Sequence, residues 1–489
     1  MNHITTDRSN SRHFWSKSTQ ASVFNDLNID LSLHQRMTHS TYTILIPKII
    51  GILLIFAIVG CNRMVQPIEV TPIPGEERSQ VITETVTSGN GAAIGVRSSE
   101  LVIWLPEFLA PNLETAAGDV LATAYTQFEQ MHPELRLEVH IKTEVGEANI
   151  YDYVRSARKV APAIVPDIIV VDSRQLWRLV DSISIQPLDR SAIPELVDMY
   201  PFALNTATYK DEIYGIPYAA DLLHMAYRKS IQQNVTATGQ EQTAQEQQFS
   251  RKNLPTDWLT LLESENTYFF PANGENGFSN EMLLAQYVSA GGQLTINGTV
   301  SNQEALISLF NFLTLGRERN IIPSFNAEDS DLNTIWAAFS NEDIVLVSTS
   351  TSRYLDERER LENIEFAQIP TRSGAPIAIG HTWLFVILTE HPDRRLLALE
   401  LIQTLLEPSI QGLWSQFAHR LPTQQRAITT WRSNQPYDEF IQRLLDVAVA
   451  LPNGLAFADF ASRLQLAQSA VLSGELTPQQ ATIQIQEGR

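Results

Sequence analysis

The chain contains a single thiol, Cys61, and it closes the stretch Ile49–Arg63, "IIGILLIFAIVGCNR". One cysteine cannot close an intramolecular disulfide or build a cysteine-rich metal site, so its chemistry is that of an isolated nucleophile. No CxxC, HExxH, GxSxG elbow or phosphate loop occurs, which leaves the sequence without a motif for metal, redox or acyl-transfer chemistry. We accordingly assign no catalytic residue, no metal and no cofactor. The 55 acidic residues do leave room for a carboxylate pair of the kind glycan hydrolysis uses, so a secreted glycan-acting hydrolase stays open as an alternative. A second set of polar residues, Asp172 and Ser173, follows the apolar run "IIVV" and sits where a parallel strand delivers groups to a ligand. Asp172 could equally cap the helix that "SRQLW" begins.

The elements around Cys61 position it for export chemistry. From Ile49 to Val59 every residue except Gly51 is apolar, Lys48 precedes the run, and Gly60 stands just before the cysteine. A basic start, an apolar centre and a small residue at the cut form an export signal. Such signals sit at the extreme N-terminus, so Met37 is expected to be the true start, with residues 1–36 a non-native upstream extension and 37–60 the signal peptide. The tetrapeptide Ile58-Val59-Gly60-Cys61 resembles the bacterial lipobox, which implies that Cys61 receives a diacylglyceryl group and becomes the mature N-terminus. The alternative is a single membrane anchor with an incidental cysteine. Ile44–Gly60 falls short of the ~20 residues a span needs and contains Pro47 and Lys48. Residues 61–98, rich in Pro, Thr, Ser, Gly and Glu, read as a lipidated tether. "GNGAAIG" at Gly89–Gly95 misses the spacing of a dinucleotide fingerprint and belongs to that tether.

Beyond the tether, "ELVIWLP" and "LRLEVHI" read as strands, and "ETAAGDVLATAYTQFEQMHP" as a helix with Leu121, Ala124, Tyr125 and Phe128 on one face. "PDIIVVD" reads as a buried strand, and strands alternating with helices predict a parallel α/β sheet. Helical periodicity returns in "NEMLLAQYVSAGG" and "QEALISLFNFLTLGRER", and "EDIVLVSTS" and "HTWLFVILT" read as further strands. The helix "RRLLALELIQTLLE" follows, and from Tyr437 the chain is chiefly helical. The Gln-rich stretch from Ser230 to Asn253 is an exposed low-complexity insertion. With 489 residues, 44% hydrophobic and 18% charged, the chain can build one large two-lobed body. Its net charge of −20, unbroken by any basic cluster, argues against binding nucleic acid.

Several stretches in order resemble the extracellular solute-binding proteins of bacterial ABC importers, the family that includes maltose-binding proteins. They run over residues 99–486, and the most specific is "YKDEIYGIPYAADLLHMAYRKS". The resemblance implies an α/β, two-lobed periplasmic-binding-protein-like fold (type II), each lobe a sheet flanked by helices. Lobe 1 would comprise 99–221 and 372–435, and lobe 2 would comprise 222–371 and 436–489. It implies a monomer that binds a small solute, a sugar or oligosaccharide, in the cleft and delivers it to permease subunits. Lipid on Cys61 would hold it at the membrane's extracytoplasmic face. A lipid-tethered receptor feeding a membrane sensor would carry the same cleft.

A sugar site needs flat aromatic rings beside hydrogen-bonding groups. The resemblance places Trp104 and Glu107 at the cleft edge, Tyr218 and Asp221 in the first hinge, and Tyr354, His381 and Trp383 on ligand platforms. Burying ~100 Å² of sugar face against Trp104 would contribute roughly 2–3 kcal/mol. After "LPN", where maltose-binding relatives place a stacking tryptophan, this chain has Phe457, Phe460 and Ala461, which argues against maltodextrin.

Overall fold

The computed structural model describes residues 100–146, 149–228, 254–264, 266–323, 330–341, 345–361, 363–431 and 435–488. The signal, Cys61, the tether and the Gln-rich insertion all lie outside the described residues.

The strands, in chain order, are β1 (Glu100–Leu105), β2 (Arg136–Ile141), β3 (Ile168–Asp172), β4 (Thr208–Tyr209), β5 (Glu212–Ile213) and β6 (Ile216–Arg228). They continue as β7 (Tyr268–Phe269), β8 (Leu346–Ser350), β9 (Ile364–Ala367), β10 (Ala378–Ile387), β11 (Leu421–Pro422) and β12 (Ala448–Ala450). A main sheet runs β2-β1-β3-β10-β6-β8-β7, with β9 and β11 also on β6 and β12 on β10.

The predicted elements form for the predicted reasons. In the helix Ala116–Met131, Leu121, Ala124, Tyr125 and Phe128 are buried, and the Thr115 side chain accepts from the Gly118 N–H to cap it. β3 is buried along its whole length, as a continuous apolar run requires. The sheet departs from the expected parallel arrangement. β1 is parallel to β2 and β3, and β7 to β8, whereas β10 runs antiparallel to β3 and β6, and β6 antiparallel to β8 and β9. The antiparallel pairings of this sheet all involve β6 or β10, the two strands that contribute to both cores, while β12 lies parallel to β10.

Two hydrophobic cores result. The first draws on residues between Leu101 and Ala219 and between Trp383 and Trp414. The second gathers Met225, Tyr287, Phe310, Phe339, Val347, Tyr437 and Phe460, together with Leu421 and Ile428. β6 belongs to both. Its first half pairs with β10, its second half with β8 and β9, and every residue but Arg228 is buried. The molecule is therefore two α/β lobes joined by shared strands. Where β10 meets β6 the register slips: Trp383 faces Ala219 and Leu384 faces Pro217, leaving Tyr218 with no opposite residue.

Candidate functional site

The site begins at the end of β3. The Asp172 carboxylate accepts from the Arg174 backbone N–H at 2.8 Å and from its Nε at 3.0 Å. It thus caps the turn Ser173–Gln175 and orients the guanidinium in one gesture. Ser173 Oγ accepts from the Thr382 backbone N–H at 3.0 Å, tying the end of β3 to β10.

A partner set arrives from the second lobe. Asn280 caps the helix Glu281–Ser289, accepting from the Leu283 N–H, and puts Glu281 in the first turn, where the helix dipole favours a carboxylate. Just before it, the turn through Gly274 presents Phe278. A Cβ at Gly274 would lie 1.8 Å from the Phe278 carbonyl oxygen, so only glycine permits this turn. The Arg174 guanidinium lies 3.9 Å from the Phe278 ring centre and 3.5 Å from Glu281 Oε1. His381 on β10 stands between them, with Nδ1 3.2 Å from Glu281 Oε1 and Nε2 4.0 Å from Asp172 Oδ2.

This bridge has a definite electrostatic state. Burial is the largest influence on His381 and works against its charge, as does Arg174. Glu281 and Asp172 outweigh them and hold the imidazole above its ordinary pKa. Burial likewise tends to raise Asp172, but Arg174 and His381 prevail and keep it ionised below the usual carboxylate range. Because Asp172 and Arg174 come from one lobe and Phe278 and Glu281 from the other, the bridge closes across the cleft and divides it in two.

The first chamber has a volume of about 470 Å³. Its polar wall combines Ser173, Thr206, Asn273, Asn453 and Gln465 with Arg174, Arg178 and His381, and Trp177 and Phe457 supply rings. Asn453 donates through Nδ2 to the Thr206 carbonyl at 2.9 Å, which fixes one side of the chamber to the other lobe's segment.

The second chamber, about 360 Å³, is acidic. Glu144, Asp172, Asp221, Glu275, Glu281, Asp356 and Glu357 line it against Arg174, Arg353 and Arg420, with Trp383 and His381 on its wall. Asp221 accepts from the Leu222 and Ser352 N–H groups at 2.9 and 3.0 Å and from the Ser352 hydroxyl, joining β6 to the helix Thr351–Glu357. Arg353 reaches Glu275 at 2.8 Å, and Asp356 meets His419 at 2.9 Å and Arg420 at 3.5 Å. The Trp383 indole N–H donates to Glu144. Burial pushes the Glu144 carboxyl upward, and the indole bond offsets this only in part.

Of the residues singled out by sequence, Asp172, Ser173, Asp221, His381 and Trp383 meet in these chambers. Asp172 caps the turn, as one of the two readings expected, and also lines the second chamber. The other four do not line either chamber. Trp104 is buried on β1, edge-on to Tyr153 at 6.4 Å with the Lys142 ammonium 5.0 Å from its ring. Glu107 is exposed in the turn after β1. Tyr218, turned into the first core beside the register slip, packs against Trp414 at 4.8 Å and Phe385 at 5.2 Å. Tyr354 stacks on Tyr437 at 4.7 Å in the second core. Phe457 does line the first chamber, while Phe460 and Ala461 are core residues. Sequence reasoning missed Arg174, Glu281, Phe278, Trp177 and Glu144. Among the described residues no group of three His, Cys, Asp or Glu side chains is arranged to hold a metal ion.

The bacterial extracellular solute-binding protein family model matches residues 123–436. The chain belongs to that family. Its members are extracellular proteins that bind solutes, and the two-lobed body with a cleft between cores is their architecture. No curated protein sequence matches the chain. Among solved structures it is similar to the cyclic alpha-maltosyl-1,6-maltose binding protein of Arthrobacter globiformis. The TM-score there is 0.63 at 15% identity, covering 80% of this chain and 97% of that one. It is also similar to the GacH receptor of Streptomyces glaucescens, solved unliganded and with acarbose, with TM-score 0.59, 16% identity, and coverage of 79% and 96%. A solute-binding protein of Thermotoga lettingae bound with alpha-D-tagatose matches at TM-score 0.59 and 17% identity, covering 80% of this chain and 100% of that one. At these identities the likeness is one of fold.

Proposed function

We propose that this solute-binding protein captures a carbohydrate-like solute in its interlobe cleft and presents it, by hinge closure, to the permease of an ABC importer. The observation that carries the reading is the first chamber, where amides and hydroxyls from both lobes share a wall with the rings of Trp177 and Phe457 and the guanidinium groups of Arg174 and Arg178. Hydroxyl-rich solutes with apolar ring faces suit such a wall, since Arg174 and Arg178 can also donate to their oxygens. The sugar ligands named for the GacH receptor and the Thermotoga protein support the same class. Closure follows if the solute binds the closed arrangement better than the open one. The protein acts as a binder and not an enzyme, and as a monomer. Its lobes are 99–221 with 372–435 and 222–371 with 436–489, and acylated Cys61, preceded by a signal that starts at Met37, tethers it to the membrane.

The test is a thermal-shift screen of the purified chain against sugars, polyols, amino acids and peptides. A cognate sugar at one hundred times its Kd adds about 2.7 kcal/mol of apparent stability. Stabilisation by peptides or amino acids alone, with every sugar silent, would overturn the carbohydrate assignment. Palmitate labelling that persists in Cys61→Ala would overturn the tether.

A further inference from the structure

We propose that the first chamber receives the carboxylate of an acidic sugar, a uronic or aldonic acid, with the guanidinium of Arg178 as its counter-charge. This rests on the reading of the cleft as a solute site and specifies the class of its ligand.

Local sequence brings the groups together. Arg174, Trp177 and Arg178 follow the end of β3 at i, i+3 and i+4 spacing, through the turn Ser173–Gln175 and the helix Leu176–Ser182, and all three line the first chamber. The two guanidinium groups differ in what holds them. Arg174, 15% exposed, is engaged by Asp172 and Glu281. Arg178 is exposed, 5.2 Å from the centre of the Trp177 ring, and among the described residues it makes no hydrogen bond and no ion pair. The acids placed to neutralise it are taken elsewhere. Asp181, one turn further along the helix, accepts from Lys210 and from the Tyr209 hydroxyl, each at 2.8 Å. Asp152, which lines an adjoining cavity of about 290 Å³ together with Arg178, pairs with Arg155 at 3.0 Å.

The charges around the chamber then leave one positive charge over. No carboxylate lines it. In the bridge at its edge, Arg174 and His381, the latter held above its ordinary pKa by its acidic neighbours, balance Asp172 and Glu281. Arg178 remains, and a single positive charge matches one carboxylate better than a dianionic phosphate. A guanidinium meets a carboxylate with two parallel N–H donors, a geometry that a lone hydroxyl cannot use. Trp177, one residue before, offers its ring to the apolar face of the same sugar, while Ser173 and Asn273 are there for its hydroxyls. The carboxylates lining the second chamber disfavour an acid group on that side, which directs the charged end of the solute toward Arg178.

The experiment is isothermal titration of the full chain in detergent, at mildly acidic pH and low salt, with glucose, galactose, glucuronate, galacturonate, glucose 6-phosphate and succinate. The better-bound uronate is expected to bind at least about tenfold more tightly than its neutral parent sugar, a ratio that falls with added salt. Arg178→Gln should erase that ratio, and Arg178→Lys should keep part of it, because lysine retains the charge without the planar fork. Arg178 is exposed and makes no hydrogen bond or ion pair among the described residues, so both variants are expected to fold. Equal affinity for uronate and parent, a ratio that survives in Arg178→Gln, or tighter binding of glucose 6-phosphate than of either uronate overturns the acidic-sugar subsite and leaves sugar capture standing. Succinate binding with every sugar silent overturns sugar capture and leaves a carboxylate subsite without it. Silence of all six counts against both.

Discussion

The two chambers of the cleft share Arg174, Phe278 and His381, yet they are walled by opposite chemistry. To these one adds amides, hydroxyls, rings and Arg178, with no carboxylate; the other adds seven carboxylates set against Arg353 and Arg420. The difference shows what an ion bridge across a cleft accomplishes. It lets one site hold two environments side by side, because Arg174 and His381 sit between Asp172 and Glu281 and line both chambers. It also links recognition to lobe position, since neither lobe carries both halves of the bridge.

The largest effect is expected from breaking the partition. Arg174→Met leaves Asp172 and Glu281, at 8% and 6% exposure, without a guanidinium and sharing His381. Removing one partner from a buried ion set costs about 3–5 kcal/mol, read as a lower urea midpoint. A loss under about 1 kcal/mol would show that the chambers do not depend on the bridge.

Next comes a contrast between two histidines. His224, in the second core, is pushed by burial from 6.5 to about 4, so between those values the unfolded chain binds the extra proton and stability falls as pH falls. The loss is about 3 kcal/mol over that window, and His224→Gln should flatten it. His381 has the opposite sign. Its raised pKa gives stability that is complete below the unfolded value and lost as pH climbs through the folded one. Urea midpoints measured across pH should show His381→Gln losing the alkaline fall while keeping the acid one. Identical profiles for the two variants would remove the contrast.

In the first chamber, Trp177→Ala removes half-buried ring surface and should weaken a bound sugar by about 1.5–3 kcal/mol, or more than tenfold in Kd by calorimetry, with little change in Tm. The smallest effect belongs to the acidic rim. Asp356 is 48% exposed, so Asp356→Asn should cost under about 1 kcal/mol, vanishing in high salt.

Much of this was legible in the sequence wherever the signal was local. The face of the helix Ala116–Met131, the buried run of β3 and the strand carrying His381 and Trp383 follow from periodicity. Asp172, Ser173 and Asp221 follow from their places at strand ends and the hinge. What escaped was relational. Arg174 and Glu281 meet across more than a hundred residues, and a glutamate opening a helix looks like any favourable first-turn acid. Phe278 depends on a turn that only Gly274 permits. Tyr218 and Tyr354 misled because an aromatic near a strand end can turn to either face. The register slip beside Tyr218 and the stacking of Tyr354 on Tyr437 decided which. Sheet direction escaped likewise, because alternation of strands and helices does not reveal a strand that crosses between lobes.

The first core takes its opening residue from Leu101 and its last from Trp414, with β10 arriving only at Ala378. A ribosome must therefore deliver most of the chain before the N-terminal lobe can close its own interior. A nascent chain that leaves the cell in extended form would keep that core open throughout its passage, and the long detour between Ala219 and Trp383 would act as a timer that postpones folding until export is nearly finished.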